Sequence, residues 1–298
     1  MTGTGTRSVD EKLEAARAAL AERDGVLVAF SGGVDSSVVA ALAHDALGDD
    51  AVACTAKSET LPAAELEDAK RVADEIGIRH DVVEFSELDD PQFVANDDDR
   101  CYHCRTMRLG RMYDRARELG IETVCDGTNA SDPGEGHRPG LRAVEELEVL
   151  SPLLTHDLTK REVREAADRY GLSVADKPSM ACLSSRIPTG IEVTEEKLSR
   201  IERAEELLRA WGFSQFRVRD HDGLARIEVG EDELDVALTL GFVEAAREQF
   251  SELGFDHVTL DLHGYRTGSV SPADADADGE SEAAGTDDVL SQNYPGGG

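Results

Sequence analysis

Basic residues are scarce in this chain of 298 residues. It contains 31 lysines and arginines against 62 aspartates and glutamates, which gives a formal net charge of -31 at pH 7. Nucleic-acid binding depends on lysine and arginine contacts to phosphates, and no basic run offsets the repulsion. The composition therefore argues against a nucleic-acid partner. Because the acidic excess is spread along the whole chain, we interpret it as a halophilic surface, adapted to high salt.

Long apolar segments are also missing. Residues 1–10 carry no apolar stretch of a signal peptide, and no segment approaches the roughly 18 apolar residues of a membrane span. The sequence therefore predicts a cytoplasmic protein without a membrane segment. Its five cysteines are an odd number, and without an export signal they argue against a disulfide framework. Metal binding or catalysis is the expected use of some of them.

Predicted strands and helices alternate through the first part of the chain. Strands are predicted over 26–30, 51–56, 79–85 and 122–125, with a further short strand near Val149. Helices are predicted over 9–23, 36–47, 63–76, 101–119 and 160–170. Such alternation predicts an α/β fold with a parallel, doubly wound sheet, in which ligands bind at the carboxyl ends of the strands.

The loop over 176–190 contains Pro178, Pro188 and Gly190 and indicates a domain junction. We expect residues 1–185 to form the α/β domain and residues 186–266 to form a smaller α+β domain for substrate binding or oligomerisation. Residues 267–298 have almost no large apolar side chains and are expected to form a disordered acidic tail.

A phosphate-binding loop is predicted where the first strand meets the next helix. The residues of this loop are Ser31, Gly32, Gly33, Val34, Asp35, Ser36 and Ser37. The glycines allow the backbone to approach an anion, and the amides of the turn and helix N-terminus point towards it. The loop lacks the lysine and the spacer of the P-loop kinases, so γ-phosphoryl transfer is not expected, whereas a pyrophosphate would fit.

Two acidic residues, one in this loop and one outside it, are candidates for binding Mg²⁺. Asp126 follows a predicted strand end, where it could hold the metal or meet a ribose, and Gly127 gives the backbone room there. Asp35 is the other candidate metal ligand.

Three cysteines and two arginines form further candidate groups. Cys101 and Cys104 make a C-x-x-C at a helix start, a spacing at which two thiolates can share one metal. Cys182 lies four residues before Arg186, and a nearby cation lowers a thiol pKa. Arg217 and Arg219 alternate on a predicted strand, so they face one side and could grip a phosphate or carboxylate; a solvated sheet face explains them equally well.

Together these segments resemble the LarE family of ATP-dependent sacrificial sulfur transferases, within the PP-loop ATP pyrophosphatase superfamily. The matching segments are residues 31–37, 126–129, 138–140, 178–188, 217–219 and 265–268. The resemblance implies that the loop at 31–37 binds ATP, which adenylylates a carboxylate of pyridinium-3,5-biscarboxylate mononucleotide and releases pyrophosphate. Sulfur delivered at the position of Cys182 then leaves a thiocarboxylate for biosynthesis of the nickel-pincer nucleotide.

The resemblance also implies roles for other residues. Arginines matching Arg217, Arg219 and Arg266 hold the substrate phosphate, and the family forms ring-like homo-oligomers. In the single-cysteine branch the protein sacrifices its own cysteine sulfur. This chain has three cysteines at the relevant positions.

The three-cysteine set of Cys101, Cys104 and Cys182 is the ligand set of a [4Fe-4S] cluster with one open iron, which could carry the sulfide to be transferred. Zinc, held by the same sulfurs and His103, is the rival, although a closed tetrahedral site explains no sulfur delivery. Cys54 and Cys125 lie in apolar runs and are expected in the core.

Two other functions remain open. One is a tRNA thiolase or another adenylylating ligase, similar to NAD or GMP synthetase, and the missing basic surface counts against tRNA. The other is a non-catalytic module that binds a nucleotide and zinc.

Overall fold

The computed structural model describes residues 7–134, 139–178 and 181–265. A parallel sheet of four strands organises its first part, in the order β3, β2, β1, β4. The strands are β1 (Val26–Ala29), β2 (Ala51–Lys57), β3 (Arg79–Glu84) and β4 (Thr123–Cys125). The α/β fold expected from the alternating pattern is therefore confirmed.

Helices cover both faces of this sheet. They are α1 (Val9–Ala21), α2 (Val34–Leu47), α3 (Ala63–Ile76), α4 (Pro91–Ala95), α5 (Arg100–Leu119), α6 (Pro139–Glu146), α7 (Pro152–Thr155) and α8 (Lys160–Arg169). Val26 and Val28 of β1 pack into one apolar core with α1, α2, α3 and α8, whereas Leu27 packs into another core with α5 and α6. Because both faces are covered, β1 is apolar throughout, as is usual for a parallel sheet.

The predicted strand near Val149 is reduced to a single bridge between Cys125 and Leu150. β4 has only three residues and lies at the sheet edge, so it offers little backbone for a further partner. Capping boxes define the starts of two helices: Ser8 and Glu11 bond reciprocally before α1, and Thr159 and Glu162 do so before α8.

A second sheet of three strands forms the last part of the described chain. Its elements are α9 (Glu195–Ala210), β5 (Phe216–Asp220), β6 (Leu224–Val229), α10 (Leu234–Ala237), α11 (Leu240–Glu252) and β7 (His257–Leu260). β5 and β6 are antiparallel, and β6 and β7 are parallel. This sheet packs on α9 and α11 around an apolar core of its own, as expected for an α+β unit.

A fourth apolar cluster joins the two parts, with Phe93 from α4, Leu183 and Ile187 from the connecting loop, and Leu198 and Ile201 from α9. The domain boundary expected at 185–186 falls within this cluster and stays a prediction. The acidic tail expected over 267–298 lies outside the described residues. No helix within the described ranges has the length and apolar character needed to cross a membrane.

Candidate active site

The predicted phosphate-binding loop lies between β1 and α2. Gly32 has a φ of +68°, and a Cβ on it would lie 2.6 Å from Cα of Ala69 in α3. A Cβ on Gly127 would lie 2.7 Å from the backbone nitrogen of Ser36. These glycines are therefore needed for the close approach of neighbouring backbone, in addition to any room that an anion requires.

The serine hydroxyls of the loop form hydrogen bonds with other residues of the same loop. The Ser36 and Ser37 hydroxyls donate to the carbonyl of Gly33, at 3.1 and 2.8 Å, and Ser36 Oγ accepts from the Ser31 amide at 3.2 Å. Within the described residues, by contrast, the amides of Val34, Asp35 and Ser36 donate to no protein acceptor. Unpaired amides at the start of a 14-residue helix are suited to donate hydrogen bonds to an anion.

A cavity of about 410 Å³ opens above the carboxyl ends of β1, β2 and β4. Polar loop residues line one side of it, and the apolar side chains of Leu109, Met112 and Leu141 line another. This combination of an apolar wall with a few converging polar groups is typical of a site for a small organic ligand.

Asp126 is less available for a metal than expected. It is 1% exposed, and its carboxylate accepts from the Thr128 amide and hydroxyl, at 3.1 and 2.6 Å, and from the Ser151 hydroxyl at 2.7 Å. It also pairs with Arg105. Four donors saturate the two oxygens, so the observed arrangement holds the loop after β4. A role of Asp126 or Gly127 in binding ATP stays a prediction.

Asp35 remains the candidate Mg²⁺ ligand, and this role stays a prediction. Its carboxylate faces the cavity, 2.5 Å from Nζ of Lys160 and 3.2 Å from Nδ2 of Asn129. Sequence reasoning missed Lys160, which is the first residue of α8. A cation in the first turn opposes the helix dipole, so this position indicates an anionic ligand nearby. The capping box at Thr159 and Glu162 marks the start of α8, and this signal could have placed Lys160 in the first helical turn.

Cys182 borders a second cavity, of about 190 Å³. Ser31, Asp35, Leu61, Arg108 and Lys160 line both cavities, so the two are contiguous. The thiol of Cys182 is half-buried, with its sulfur 3.1 Å from the Ser184 hydroxyl. The predicted sulfur position and the predicted ATP loop therefore share one region of the molecule.

The electrostatics of Cys182 differ from the expectation. Burial raises the pKa of its thiol, but neighbouring groups outweigh burial and hold the pKa below the ordinary value. These groups are, in order of effect, Arg100, the Ser184 hydroxyl, Arg108 and Arg186. Two arginines of α5, which the sequence reasoning missed, therefore act more strongly on this thiol than Arg186 does.

Arg186 is fully buried and makes a two-pronged ion pair with Glu205 of α9, at 2.9 and 3.0 Å. It also donates to the carbonyls of Ala181 and Cys182, at 2.6 and 2.9 Å. It therefore fixes the backbone of the cysteine loop. The catalytic role expected for Arg186 stays a prediction.

The other two cysteines lie on the first turns of α5. Cys101 is exposed, and Cys104 is half-buried with its sulfur 3.5 Å from Oε1 of Glu87. Burial raises the pKa of Cys104 to about 12, against the lowering effect of Arg108, and negative charge on Glu87, Cys182 and Cys101 raises it further. Both other cysteines therefore influence the pKa of Cys104.

The described ranges contain no group of three or more His, Cys, Asp or Glu side chains placed to hold a metal ion. The nitrogens of His103 lie 3.2 Å from Asp99 and 3.7 Å from Asp90, so both ring edges face carboxylates. Cys54 and Cys125 are fully buried in β2 and β4, as expected of core residues.

The arginines of β5 lie beside the cysteine loop. Arg219 pairs with Glu228 at 2.8 Å and donates to the Ser185 carbonyl at 3.1 Å. Arg217 donates to the Phe216 carbonyl and stacks over the ring of Tyr265. Burial lowers the pKa of Arg217, and the like charges of Arg186 and Arg219 add to this effect. Their role in binding a phosphate stays a prediction, and Arg266 lies outside the described residues.

Comparison with known proteins gives three findings. Residues 8–107 match the asparagine synthase family. The pyridinium-3,5-bisthiocarboxylic acid mononucleotide synthase of Lactiplantibacillus plantarum is 36% identical over 255 residues, covering 85% of this chain and 91% of the relative. An uncharacterised protein of Synechocystis sp. is 42% identical over 263 residues, covering 88% of this chain and 98% of the relative.

A more distant group of relatives modifies tRNA according to their names. The tRNA-specific 2-thiouridylase of Maricaulis maris is 32% identical over 245 residues. The match covers 69% of this chain and 59% of that relative.

Proposed function

Since the chain belongs to the LarE family of ATP-dependent sulfurtransferases, within the PP-loop superfamily, we propose that its acceptor is pyridinium-3,5-biscarboxylate mononucleotide. One carboxylate is adenylylated and then converted to a thiocarboxylate, as a step towards the nickel-pincer nucleotide. The observation that carries this proposal is the contiguity of the two cavities, because Cys182 opens beside the loop that would bind ATP.

Adenylylation requires ATP to be cleaved between the α and β phosphates. A carboxylate is a poor electrophile, and its bond to AMP supplies a good leaving group. The departing pyrophosphate gains negative charge, which the unpaired amides of Val34, Asp35 and Ser36 and the ammonium of Lys160 are placed to stabilise. Mg²⁺ usually binds through one or two carboxylates together with phosphates, and Asp35 provides one at the edge of this site.

Thiolation requires a sulfur nucleophile next to the acyl adenylate. Hydrosulfide attacks the carbonyl carbon, AMP leaves with the electrons of the C–O bond, and a proton is released from sulfur. We propose that Cys101, Cys104 and Cys182 hold a [4Fe-4S] cluster, which when bound would supply sulfide at its open iron. Two observations support this donor set: Arg100 and Arg108 lower the pKa of Cys182, and the charges of both other cysteines act on Cys104. Burial raises the pKa of Cys104 to about 12, so binding of the cluster would have to displace its proton.

The test uses protein purified and reconstituted without oxygen. With Mg-ATP, the pyridinium dicarboxylate nucleotide and sulfide, we expect release of pyrophosphate and, by mass spectrometry, replacement of a carboxylate oxygen by sulfur. Cys182→Ala is expected to abolish thiocarboxylate formation while ATP-pyrophosphate exchange continues. Cys54→Ala removes a buried thiol that lines neither cavity and is the matched control, in which both activities persist.

Three outcomes would contradict parts of this proposal. Absence of pyrophosphate release from the wild type would refute the acceptor. Loss of exchange together with thiolation in Cys182→Ala would mean that Cys182 maintains the fold. A colourless reconstituted protein that binds zinc and lacks the visible absorbance of an iron-sulfur protein would refute the cluster.

Thiolation of tRNA is the second candidate, favoured by the similarity to the thiouridylases. Against it, a net charge of -31 repels a polyanion. Bulk tRNA is therefore included as an acceptor in the same assay, and sulfur found in tRNA and not in the pyridinium nucleotide would favour this function.

A further inference from the structure

Arg108 of α5 occupies the junction between the two cavities. It lines the cavity above the strand ends and also the cavity that contains Cys182. Lys160 is the other cation that lines both cavities, but it is held against Asp35 at the phosphate loop. Arg108 instead lies on the cysteine side, one helical turn after Cys104.

One edge of the Arg108 guanidinium is fixed. Its Nε and Nη2 donate to Oε1 of Glu87, at 3.0 and 2.8 Å, and Nη2 also donates to the Thr60 hydroxyl at 2.7 Å. Glu87 and Thr60 are both fully buried. The guanidinium is therefore held in one orientation by two partners that are themselves fully buried.

The other edge is unused. A guanidinium has five N–H donors, and the contacts to Glu87 and Thr60 engage three of them. The two donors on Nη1 bond to no group in the parts of the chain that the structure describes. A rigid cation with two unused donors at the junction of two cavities is suited to bind an oxygen of a ligand that spans them.

Arg108 stays charged at any working pH. Burial disfavours its charge, but interactions with Cys104, Glu87 and Cys182 raise its pKa above the ordinary arginine value. Arg108 lies one helical turn after Cys104 and lines the same cavity as Cys182.

We propose that Arg108 is a catalytic residue, whose Nη1 donates to the carbonyl oxygen of the acyl adenylate during sulfur attack. This inference rests on the proposed function. As the C–S bond forms, the C=O π electrons move to oxygen, and collapse of the oxyanion re-forms C=O and expels AMP. A fixed donor at that oxygen stabilises the developing charge without reorganising, which is the function of an oxyanion hole.

The simple substitution Arg108→Gln would leave the buried carboxylate of Glu87 without a cation and could unfold the protein. The test therefore uses the double variant Arg108→Gln with Glu87→Gln, which removes both charges, with Glu87→Gln alone as reference. Arg117→Gln is the matched control, because Arg117 is an exposed arginine on the same helix. Thermal unfolding checks that each variant folds.

Two readouts separate transfer from adenylylation in a single turnover. Hydroxylamine traps the acyl adenylate as a hydroxamate, and mass spectrometry measures the thiocarboxylate. In the double variant we expect transfer to slow by about 100-fold or more while the adenylate accumulates. Arg117→Gln should match the wild type in both, and Arg108→Lys, which keeps the charge but not the two-donor edge, should fall between.

Two results would overturn the inference. If the folded double variant transfers sulfur as fast as Glu87→Gln alone, Arg108 only anchors Glu87. If hydroxamate and thiocarboxylate fall in equal proportion, Arg108 acts before the sulfur step. A wild type that forms no hydroxamate from the pyridinium dicarboxylate nucleotide would refute the proposed function together with this inference, and is thus distinguishable from either result.

Discussion

Gly127→Ala is expected to damage both stability and catalysis, because a methyl group at this position meets the backbone of the predicted phosphate-binding loop. The added Cβ would lie 2.7 Å from the nitrogen of Ser36 and 3.0 Å from the backbone carbon of Asp35. Ordinary contact begins at 3.4 Å, so the first turn of α2 and the loop after β4 must separate by about 0.7 Å (3.4 minus 2.7).

Separating α2 from the loop after β4 is expected to lower both stability and reaction rate. Overpacking of a tightly packed contact costs about 1–3 kcal/mol of unfolding free energy. The amides of Val34, Asp35 and Ser36 would shift relative to the bound phosphates, and a misplacement of about 1 Å can cost a hundredfold in rate. We expect a lower urea midpoint and a loss of ATP-pyrophosphate exchange that approaches two orders of magnitude.

Gly110→Ala is the matched control, since it is the same chemical change with the opposite expected sign. Gly110 lies within α5, and a Cβ there meets nothing within 4 Å. Alanine in a helix interior should stabilise the protein by up to about 1 kcal/mol, with exchange unchanged. If Gly127→Ala unfolds at the wild-type urea concentration and exchanges pyrophosphate normally, the close packing assigned to α2 and the loop after β4 is wrong.

Two further predictions concern pH and salt. Burial opposes ionisation of Glu162, but hydrogen bonds from Lys12 and Thr159 lower the pKa of Glu162 from 4.5 to about 2. The stabilising effect of this carboxylate is therefore complete above pH 4.5 and is lost as the pH falls towards 2. Glu162→Gln should therefore lose stability at neutral pH and show a flatter acid unfolding profile, whereas Glu165→Gln, at an exposed pair with Arg169, should behave as the wild type. Because the net charge of -31 creates self-repulsion, the thermal midpoint should fall when salt is lowered from ~2 M to ~0.1 M, and a midpoint that is unchanged or higher would contradict a salt-adapted surface.

The sheet and the phosphate loop could be predicted from the sequence because their signals are local. Apolar runs bounded by turn residues mark the strands, and Gly32 and Gly33 mark the sharp turn into α2. The short strand expected near Val149 forms only in part, since a run of apolar residues does not reveal whether a partner strand is long enough to pair with it. The structure leaves only the bridge at Leu150.

The charged residues of the site were harder to identify, because their roles depend on contacts between distant parts of the chain. Lys160 meets Asp35 across 125 residues. Arg186 is only four residues from Cys182, yet its side chain turns towards Glu205, and the strongest cationic effect on the thiol comes from Arg100 instead. Separation along a loop does not determine side-chain direction. Spacing along a helix predicts side-chain direction more reliably. The i, i+4 relation of Cys104 and Arg108 was the signal that could have identified Arg108.

The arrangement of charge explains how so acidic a protein could bind an anionic nucleotide in high salt. The surface is negative, so long-range attraction of an anion is not available, and salt at about 1 M screens exposed charges beyond about 3 Å. Two arginines that line the cavities are instead held by carboxylates that are at most 1% exposed; the pairs are Arg108 with Glu87 and Arg105 with Asp126. Such pairs add little net charge but fix the direction of the remaining donors. Binding through oriented, partly buried donors is less sensitive to screening than attraction by a positive surface, and it is therefore compatible with a net charge of -31.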